Sequence, residues 1–159
     1  MAASEPADGD EWVRCLLLPL AEGAALLPNT AVAEVAIHAR LQDAPDDPDW
    51  LCGRADWRGL QVPVVALEAA WSGTAARRGG ERRIAVLNTL NGNPALPFLA
   101  IAIAGTPRLL QVSAAEVGAC GEGAEAGILC RLQVASDEAV IPDLDAMEQW
   151  LVTAGTAAP

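Results

Sequence analysis

The sequence predicts a mainly β protein with one short helix near its C-terminal end. Short apolar segments recur along the chain with turn residues between them, a pattern typical of a small barrel or sandwich. Two pairs of these segments meet at short polar turns, Arg58-Gly59 and Asn91-Gly92, and Asn-Gly is a strong hairpin signal. Convincing helical spacing of apolar side chains occurs at residues 143–152.

The first elements of the chain are predicted to be strands. Residues 12–18 form one apolar segment, and a second begins near Ala24. Thr30 is a weak candidate for capping a helical turn through Val32 and Val35, because no glutamate follows three residues later. Residues 43–49, with two prolines and four aspartates, predict an exposed loop.

Residues 50–67 predict a β-hairpin with an arginine at its tip. Gly59 can adopt the positive φ that the turn requires, and Leu60, Val62 and Val64 then alternate onto one face. Pro63 has no amide proton for a sheet ladder, so the second strand is expected to be bulged or at an edge there.

The second half continues the β pattern after an arginine-rich connection. Residues 84–90 and 96–104 flank the Asn-Gly turn, and residues 108–112 and 128–134 are further strand candidates. The glycine-rich loop at 118–127 lacks the lysine of a phosphate-binding loop, and its glutamates would repel an anion.

The predicted helix has start signals of its own. Asp143 is the expected N-cap, and Asp145 and Glu148 oppose the positive end of the helix dipole. Three apolar side chains share one face and are expected to pack in the core: Leu144, Met147 and Leu151.

Composition limits the possible partners. The 159 residues suit one domain, or two small subdomains that share a core. A net charge of −11 argues against nucleic acid, because phosphate binding depends on basic side chains. Residues 54–83 nevertheless hold six arginines against three acidic residues, which indicates either a directed protein contact or a solvated loop. The N-terminus lacks the features of a signal peptide, and the apolar run at 98–104 is too short to insert in a membrane, so a cytoplasmic protein is expected.

Residues for catalysis or metal binding are poorly represented. The cysteines at 15, 52, 120 and 130 include no C-x-x-C pair, and His38, the one histidine, has no partner at ligand spacing. We therefore expect four reduced thiols and no metal or cofactor. A Gly-x-Ser-x-Gly motif is absent as well, so no enzyme is indicated.

Several segments resemble the CheW-like family of chemotaxis coupling proteins. Gly53, the run Asp56-Trp57-Arg58-Gly59 and the run Val62–Leu67 resemble its pattern Gly-x-x-Asn-x-Arg-Gly, an apolar residue, Pro-Val and Asp-Leu. Leu27-Pro28 followed by Val32-Ala33-Glu34-Val35 resembles its Val-x-Glu-Ile segment. With Ile84–Asn88 and Val140–Asp145, the resemblance extends over roughly residues 12–152.

The resemblance implies a specific architecture. It implies two small SH3-like β-barrel subdomains packed on a shared core, with a partner-binding groove between them and a short C-terminal helix. We expect a disordered acidic N-terminus at 1–11, a single domain at 12–153 and a flexible tail at 154–159. Within the domain, the first subdomain would span about 24–73 and the connection 74–83. The second would span about 84–153, joined by strand 12–18.

The resemblance also implies a function. It implies a non-enzymatic adaptor that couples the cytoplasmic tip of a methyl-accepting chemoreceptor to the regulatory domain of a CheA-like histidine kinase, recruited to membrane-associated receptor arrays. The partner-binding residues would be Val32, Glu34 and Val35 in the groove, with Asp56, Trp57, Arg58 and Gly59 at the hairpin tip. Whether Trp57 is a core residue or an exposed interface residue is left open by the sequence.

Departures from the family pattern indicate a diverged member. Asp56 replaces asparagine, Ala66 and Ala104 replace aspartates, and Glu68 stands where arginine is common. A specialised ChpC-like protein of a type IV pilus system, controlling twitching motility, is therefore favoured over the swimming-chemotaxis coupler. Two alternatives remain: a small β-barrel accessory protein that binds a ligand or peptide, and a CheW-like domain that only scaffolds.

Overall fold

The computed structural model describes residues 11–118, 121–122, 126–134 and 136–155. Within these residues there are eleven strands, in chain order β1 (Trp12–Pro19), β2 (Ala24–Pro28), β3 (Val32–Gln42), β4 (Leu51–Trp57), β5 (Leu60–Val65), β6 (Gly80–Asn88), β7 (Phe98–Ala102), β8 (Arg108–Ser113), β9 (Gly121–Glu122), β10 (Ile128–Val134) and β11 (Asp137–Pro142). The α-helices are α1 (Leu67–Ser72), α2 (Ala114–Gly118) and α3 (Leu144–Thr153). The prediction of a mainly β protein is confirmed.

The strands form two sheets. Five of them close a barrel in the order β3-β4-β5-β7-β6, and six form a sheet in the order β8-β1-β2-β11-β10-β9. Most neighbours are antiparallel, but β5 pairs with β7, and β2 with β11, in parallel. The pairing of β5 with β7 begins at Val64, so Pro63 lies where β5 has a ladder partner on one side only, as its missing amide proton requires.

The largest apolar cluster joins the two sheets. It combines side chains of the six-stranded sheet, such as Leu18 and Leu27, with side chains of the barrel, such as Leu87 and Ile101. The apolar face of α3 packs into the same cluster through Leu144, Met147 and Leu151, as expected. Asp143 caps this helix, because its carboxylate accepts a hydrogen bond from the Ala146 amide at 3.1 Å. A second cluster fills the barrel itself.

The division of the strands differs from the one expected along the chain. β6 and β7 follow the arginine-rich connection, yet they close the barrel of β3, β4 and β5. β2 is not part of the barrel; it pairs with β1 in the six-stranded sheet. The reason is that apolar alternation identifies a strand but carries no information about which distant strand pairs with it. The allocation of residues 24–28 to the first subdomain and of 84–102 to the second is therefore wrong.

Two local assignments are also corrected. Residues 32–35 are the start of the long strand β3, and only Asn29–Ala31 before them form a short 3₁₀ turn. β-branched Val32 and Val35 suit the strand, where each pairs with β6. The loop at 43–49 is not wholly exposed: Asp47 is 8% exposed and forms a bidentate pair with Arg54 at 3.0 and 3.2 Å.

The cysteines differ from expectation at one position. Cys15 and Cys52 are free and buried, but Cys130 is disulfide-bonded. The expectation of four reduced thiols is therefore wrong. In the described residues no helix is long and apolar enough to cross a membrane. Residues 1–10 of the predicted N-terminal segment 1–11 and residues 156–159 of the predicted tail 154–159 lie outside those residues, as does much of the predicted loop at 118–127.

Candidate functional site

The tip of the β4–β5 hairpin is a two-residue turn that exposes an arginine. Trp57 pairs with Leu60, so Arg58 and Gly59 form the turn, and both have a positive φ, 50° and 77°. These angles are those of a type I′ turn, which matches the twist of the flanking strands. Arg58 is thus held in the left-handed region, and its side chain, which is 69% exposed, projects from the end of the barrel.

A glutamate of the neighbouring strand β3 receives two hydrogen bonds from this tip. The Trp57 indole Nε1 donates to Glu34 Oε2 at 2.9 Å, and the Arg58 guanidinium Nη2 donates to the same oxygen at 3.0 Å. The Trp57 donor is partly buried, whereas the Arg58 contact is exposed to solvent. Glu34 therefore forms hydrogen bonds with two residues that lie more than twenty positions away in the chain.

An aromatic base supports the charged pair. Trp57 is only 8% exposed, and its ring contacts Phe98 edge-on, with 4.8 Å between the ring centroids. The Arg58 guanidinium carbon lies 4.6 Å from the centroid of the Trp57 ring, within cation–π range. Of the two alternatives that the sequence left open for Trp57, the structure therefore shows the buried one, and the face of the ring carries the arginine.

The other sequence-predicted site residues lie elsewhere. Val32 and Val35 pair with Leu87 and Ala85 and pack against the largest cluster, while Glu34 pairs with Val86 of the barrel cluster. The two valines therefore point to the opposite face of β3 from Glu34. Asp56 is exposed on β4 opposite Gln61. Gly59 is in open space, since a Cβ at this position would meet no atom within 4 Å.

The cluster offers several groups for a contact with another molecule. Glu34 Oε1 accepts no hydrogen bond from the described residues, and the Arg58 guanidinium has further N–H donors facing solvent. Exposed Leu60 adds an apolar surface beside them. Within the described ranges, no three His, Cys, Asp or Glu side chains are grouped to hold a metal ion. An exposed acceptor, an exposed cation and an apolar neighbour suit a protein contact.

Sequence reasoning missed two members of this cluster. Phe98 lies about forty positions from Trp57, and nothing in its apolar segment distinguishes it from a buried strand residue. Leu60 was assigned to one face with Val62 and Val64, but it is 40% exposed while both valines are buried. The explanation is its place at the turn, where β5 extends beyond the barrel.

Comparisons with known proteins agree with this architecture. A sequence comparison with curated proteins gives no match. Among solved structures, the scaffolding protein TtCheW from Thermoanaerobacter tengcongensis is similar, with a TM-score of 0.66 and 16% sequence identity over 84% of this chain and 90% of that one. At that identity the likeness shows a shared fold. The model of the CheW-like domain family matches residues 14–147, which is most of the chain and includes both the β3 rim and the hairpin tip. The chain therefore belongs to the CheW-like domain family.

Proposed function

We propose that this protein is a non-enzymatic adaptor in a chemosensory array. Its partners would be the cytoplasmic tip of a methyl-accepting chemoreceptor and the regulatory domain of a CheA-like histidine kinase. The family membership supports the adaptor role, and the similar structure is described as that of a scaffolding protein. Recruitment to membrane-associated arrays would follow from binding the receptor.

The observation that carries the proposal is the convergence of two motifs on one exposed point. Glu34 belongs to the segment that resembles Val-x-Glu-Ile, and Arg58 belongs to the segment that resembles Asn-x-Arg-Gly. These segments are distant in the chain, yet Arg58 Nη2 and Glu34 Oε2 lie 3.0 Å apart on the barrel rim. Arginine is prominent among the residues that dominate binding energies at interfaces. We assign this pair, with the supporting Trp57, as a partner contact.

We further propose a specialised system, such as one controlling type IV pilus motility. Ala66 and Ala104, which stand where the family has aspartates, motivate this proposal. Together with Glu68 they line one cavity that is separate from the hairpin tip, whereas the departure at Asp56 lies beside the tip. The loss of two aspartates at one cavity supports an altered partner contact there. Glu34 and Arg58, which match the family pattern, would retain the adaptor role.

The test uses substitutions that separate binding from folding. Arg58→Asn removes the charge and suits the turn, because asparagine tolerates the left-handed conformation. Arg58→Glu reverses the charge beside Glu34. Arg14→Glu, at an exposed position of β1, is the matched control. Each variant is compared with the wild type in melting temperature and in calorimetric binding to the receptor fragment and to the kinase regulatory domain encoded in the same genome.

We expect Arg58→Asn to keep the melting temperature within about 2 °C, since exposed ion pairs contribute about 0–1 kcal/mol. Binding to one of the two partners should weaken about tenfold with Arg58→Asn and about thirtyfold with Arg58→Glu, while the Arg14 variant binds normally. Unchanged binding of both Arg58 variants to both partners would refute the tip as an interface. Absence of binding by the wild type to either partner would refute the adaptor proposal itself.

A further inference from the structure

A concave surface lies on another part of the barrel, away from the hairpin tip. A cavity of about 640 Å3 is bounded by α1, the connection at 74–77, the start of β6 and the end of β7. Its volume is within the range of typical ligand sites. None of Glu34, Trp57 and Arg58 lines it. This cavity is therefore separate from the proposed contact at the hairpin tip.

The wall of this cavity carries a concentration of arginine. Arg77, Arg82 and Arg83 all line it. Arg82 is engaged, because its Nη1 donates to Cys52 Sγ and to the Arg77 carbonyl, each at 2.8 Å. The guanidinium groups of Arg77 and Arg83 have no hydrogen bond or ion pair with any residue that the structure describes. The two guanidinium groups are therefore available to pair with a ligand.

The acidic residues of the same wall already have partners. Glu68 Oε1 accepts a hydrogen bond from the Ala21 amide at 2.7 Å. Glu81 Oε1 lies 2.7 Å from Nδ1 of His38, which also lines the cavity. Neither carboxylate contacts an arginine of the cavity in the described residues. Three arginines and two glutamates line the cavity, so its net charge is positive, although the whole chain has a net charge of −11.

The floor of the cavity is made of small side chains. Ala66, Ala69 and Ala102 line it and are nearly buried. Ser72 and Thr74 lie at its edge, and the Ser72 hydroxyl accepts a hydrogen bond from the Thr74 amide at 3.2 Å. Because alanine leaves room for a close approach, a backbone or a short apolar side chain can lie on this floor between the arginines.

We propose that this cavity binds a short acidic segment of a partner protein. Carboxylates of the segment pair with Arg77 and Arg83, because the planar guanidinium matches a carboxylate with two parallel hydrogen bonds. Small residues between those carboxylates lie on the alanine floor. The opposite charges of cavity and segment favour this occupant and disfavour basic ones, since like charges across an interface are costly.

The probe for the test is a fluorescein-labelled hexapeptide in which glutamate alternates with alanine. A second peptide with glutamine in place of each glutamate is the control. Binding is measured by fluorescence anisotropy at low and high salt. The variants are Arg77→Gln, Arg83→Gln and the double variant, with Arg14→Gln as the matched control. Circular dichroism melts accompany each variant, and Arg77→Gln, at an exposed position, serves alone if the double variant fails to fold.

We expect the glutamate peptide to bind the wild type and the Arg14 variant equally. Each single pocket substitution should weaken binding about threefold or more, and the double variant about tenfold or more, as expected for loss of charge-assisted hydrogen bonds. Added salt should weaken wild-type binding as well. Equal binding of the glutamine peptide, or unchanged binding by the double variant, would overturn the proposal. Binding of free glutarate as tight as that of the peptide would show a small-anion site and would also overturn it.

Discussion

Glu34 offers the sharpest separation of folding from binding, because its carboxylate has two different donors. Glu34→Ala removes the acceptor of the Trp57 indole, and an unsatisfied buried donor costs about 1–3 kcal/mol. Glu34→Gln keeps a carbonyl oxygen for that donor and loses only the exposed ion pair with Arg58, which contributes about 0–1 kcal/mol. Both variants lose the ion pair, so they differ by the cost of the unsatisfied donor, about 1–3 kcal/mol of folding stability.

For a chain of this size, each kcal/mol shifts the melting temperature by about 2–4 °C. We expect Glu34→Gln to melt within about 4 °C of the wild type, and Glu34→Ala to melt about 2–12 °C below Glu34→Gln. The measurement is thermal unfolding by circular dichroism at neutral pH. Equal melting temperatures for the two variants would refute the structural role assigned to the Trp57 hydrogen bond.

The same two variants test the proposed interface. Both remove the negative charge next to Arg58, so both should weaken binding to the partner that the Arg58 variants lose, by about tenfold. Isothermal titration at a temperature well below both melting points gives the comparison. Wild-type affinity in Glu34→Gln, together with weakened binding in Glu34→Ala, would mean that only the position of Trp57 matters and would refute a role for the Glu34 charge.

Two further predictions concern the fold. Gly53→Ala should destabilise the protein by about 2 kcal/mol or more, measured by urea unfolding, because Gly53 has a φ of 140° and a Cβ there would lie 2.6 Å from the Gln42 carbonyl oxygen; a change below about 0.5 kcal/mol would contradict the close approach. Burial alone would raise the pKa of the Asp47 carboxyl, but hydrogen bonds from Arg54 and the Ala44 amide and the charges of Arg54 and Arg78 hold that pKa below its usual value. The stability contributed by this carboxylate is therefore present above about pH 4 and is lost as the pH falls through the lowered pKa. The difference in free energy of unfolding between the wild type and Asp47→Asn should be constant near neutral pH and become smaller below about pH 4. A gap that does not change with pH would contradict this assignment.

The local elements of the fold could be predicted where the sequence carries their causes. The hairpin at 50–67 has its turn residues, and the helix at 144–153 has both a cap and an apolar face. The short helix α1 has weaker signals, because Ala66 at its N-cap supplies no side-chain acceptor and only Leu67 and Ala69 of its six residues are buried. It was missed for that reason. Strand partners were also missed, since closure of the barrel by β6 and β7 depends on packing between distant segments.

Glu34, Trp57 and Arg58 of the candidate site were named from the sequence, but their pairing was not. The sequence placed Arg58 at a hairpin tip and marked Glu34 through a motif, but nothing local indicated that the two form an ion pair. In the chain, Asp56 is the acidic residue nearest to Arg58, two positions before it. Strand alternation explains the outcome, because Asp56 and Trp57 point to opposite faces of β4, and Glu34 lies on the face of Trp57.

The energetics of Arg58 bear on why an arginine occupies this turn. A residue other than glycine in the left-handed region costs about 1 kcal/mol, and Arg58 has a φ of 50°. Its exposed ion pair with Glu34 stabilises the fold by about 0–1 kcal/mol, and its exposed cation–π contact with Trp57 by about 0.5–1 kcal/mol. These contributions nearly cancel, so the arginine adds little to folding stability, and asparagine would serve the turn equally well. A charged residue that the fold does not require, with its remaining donors facing solvent, supports the partner contact proposed above for Arg58.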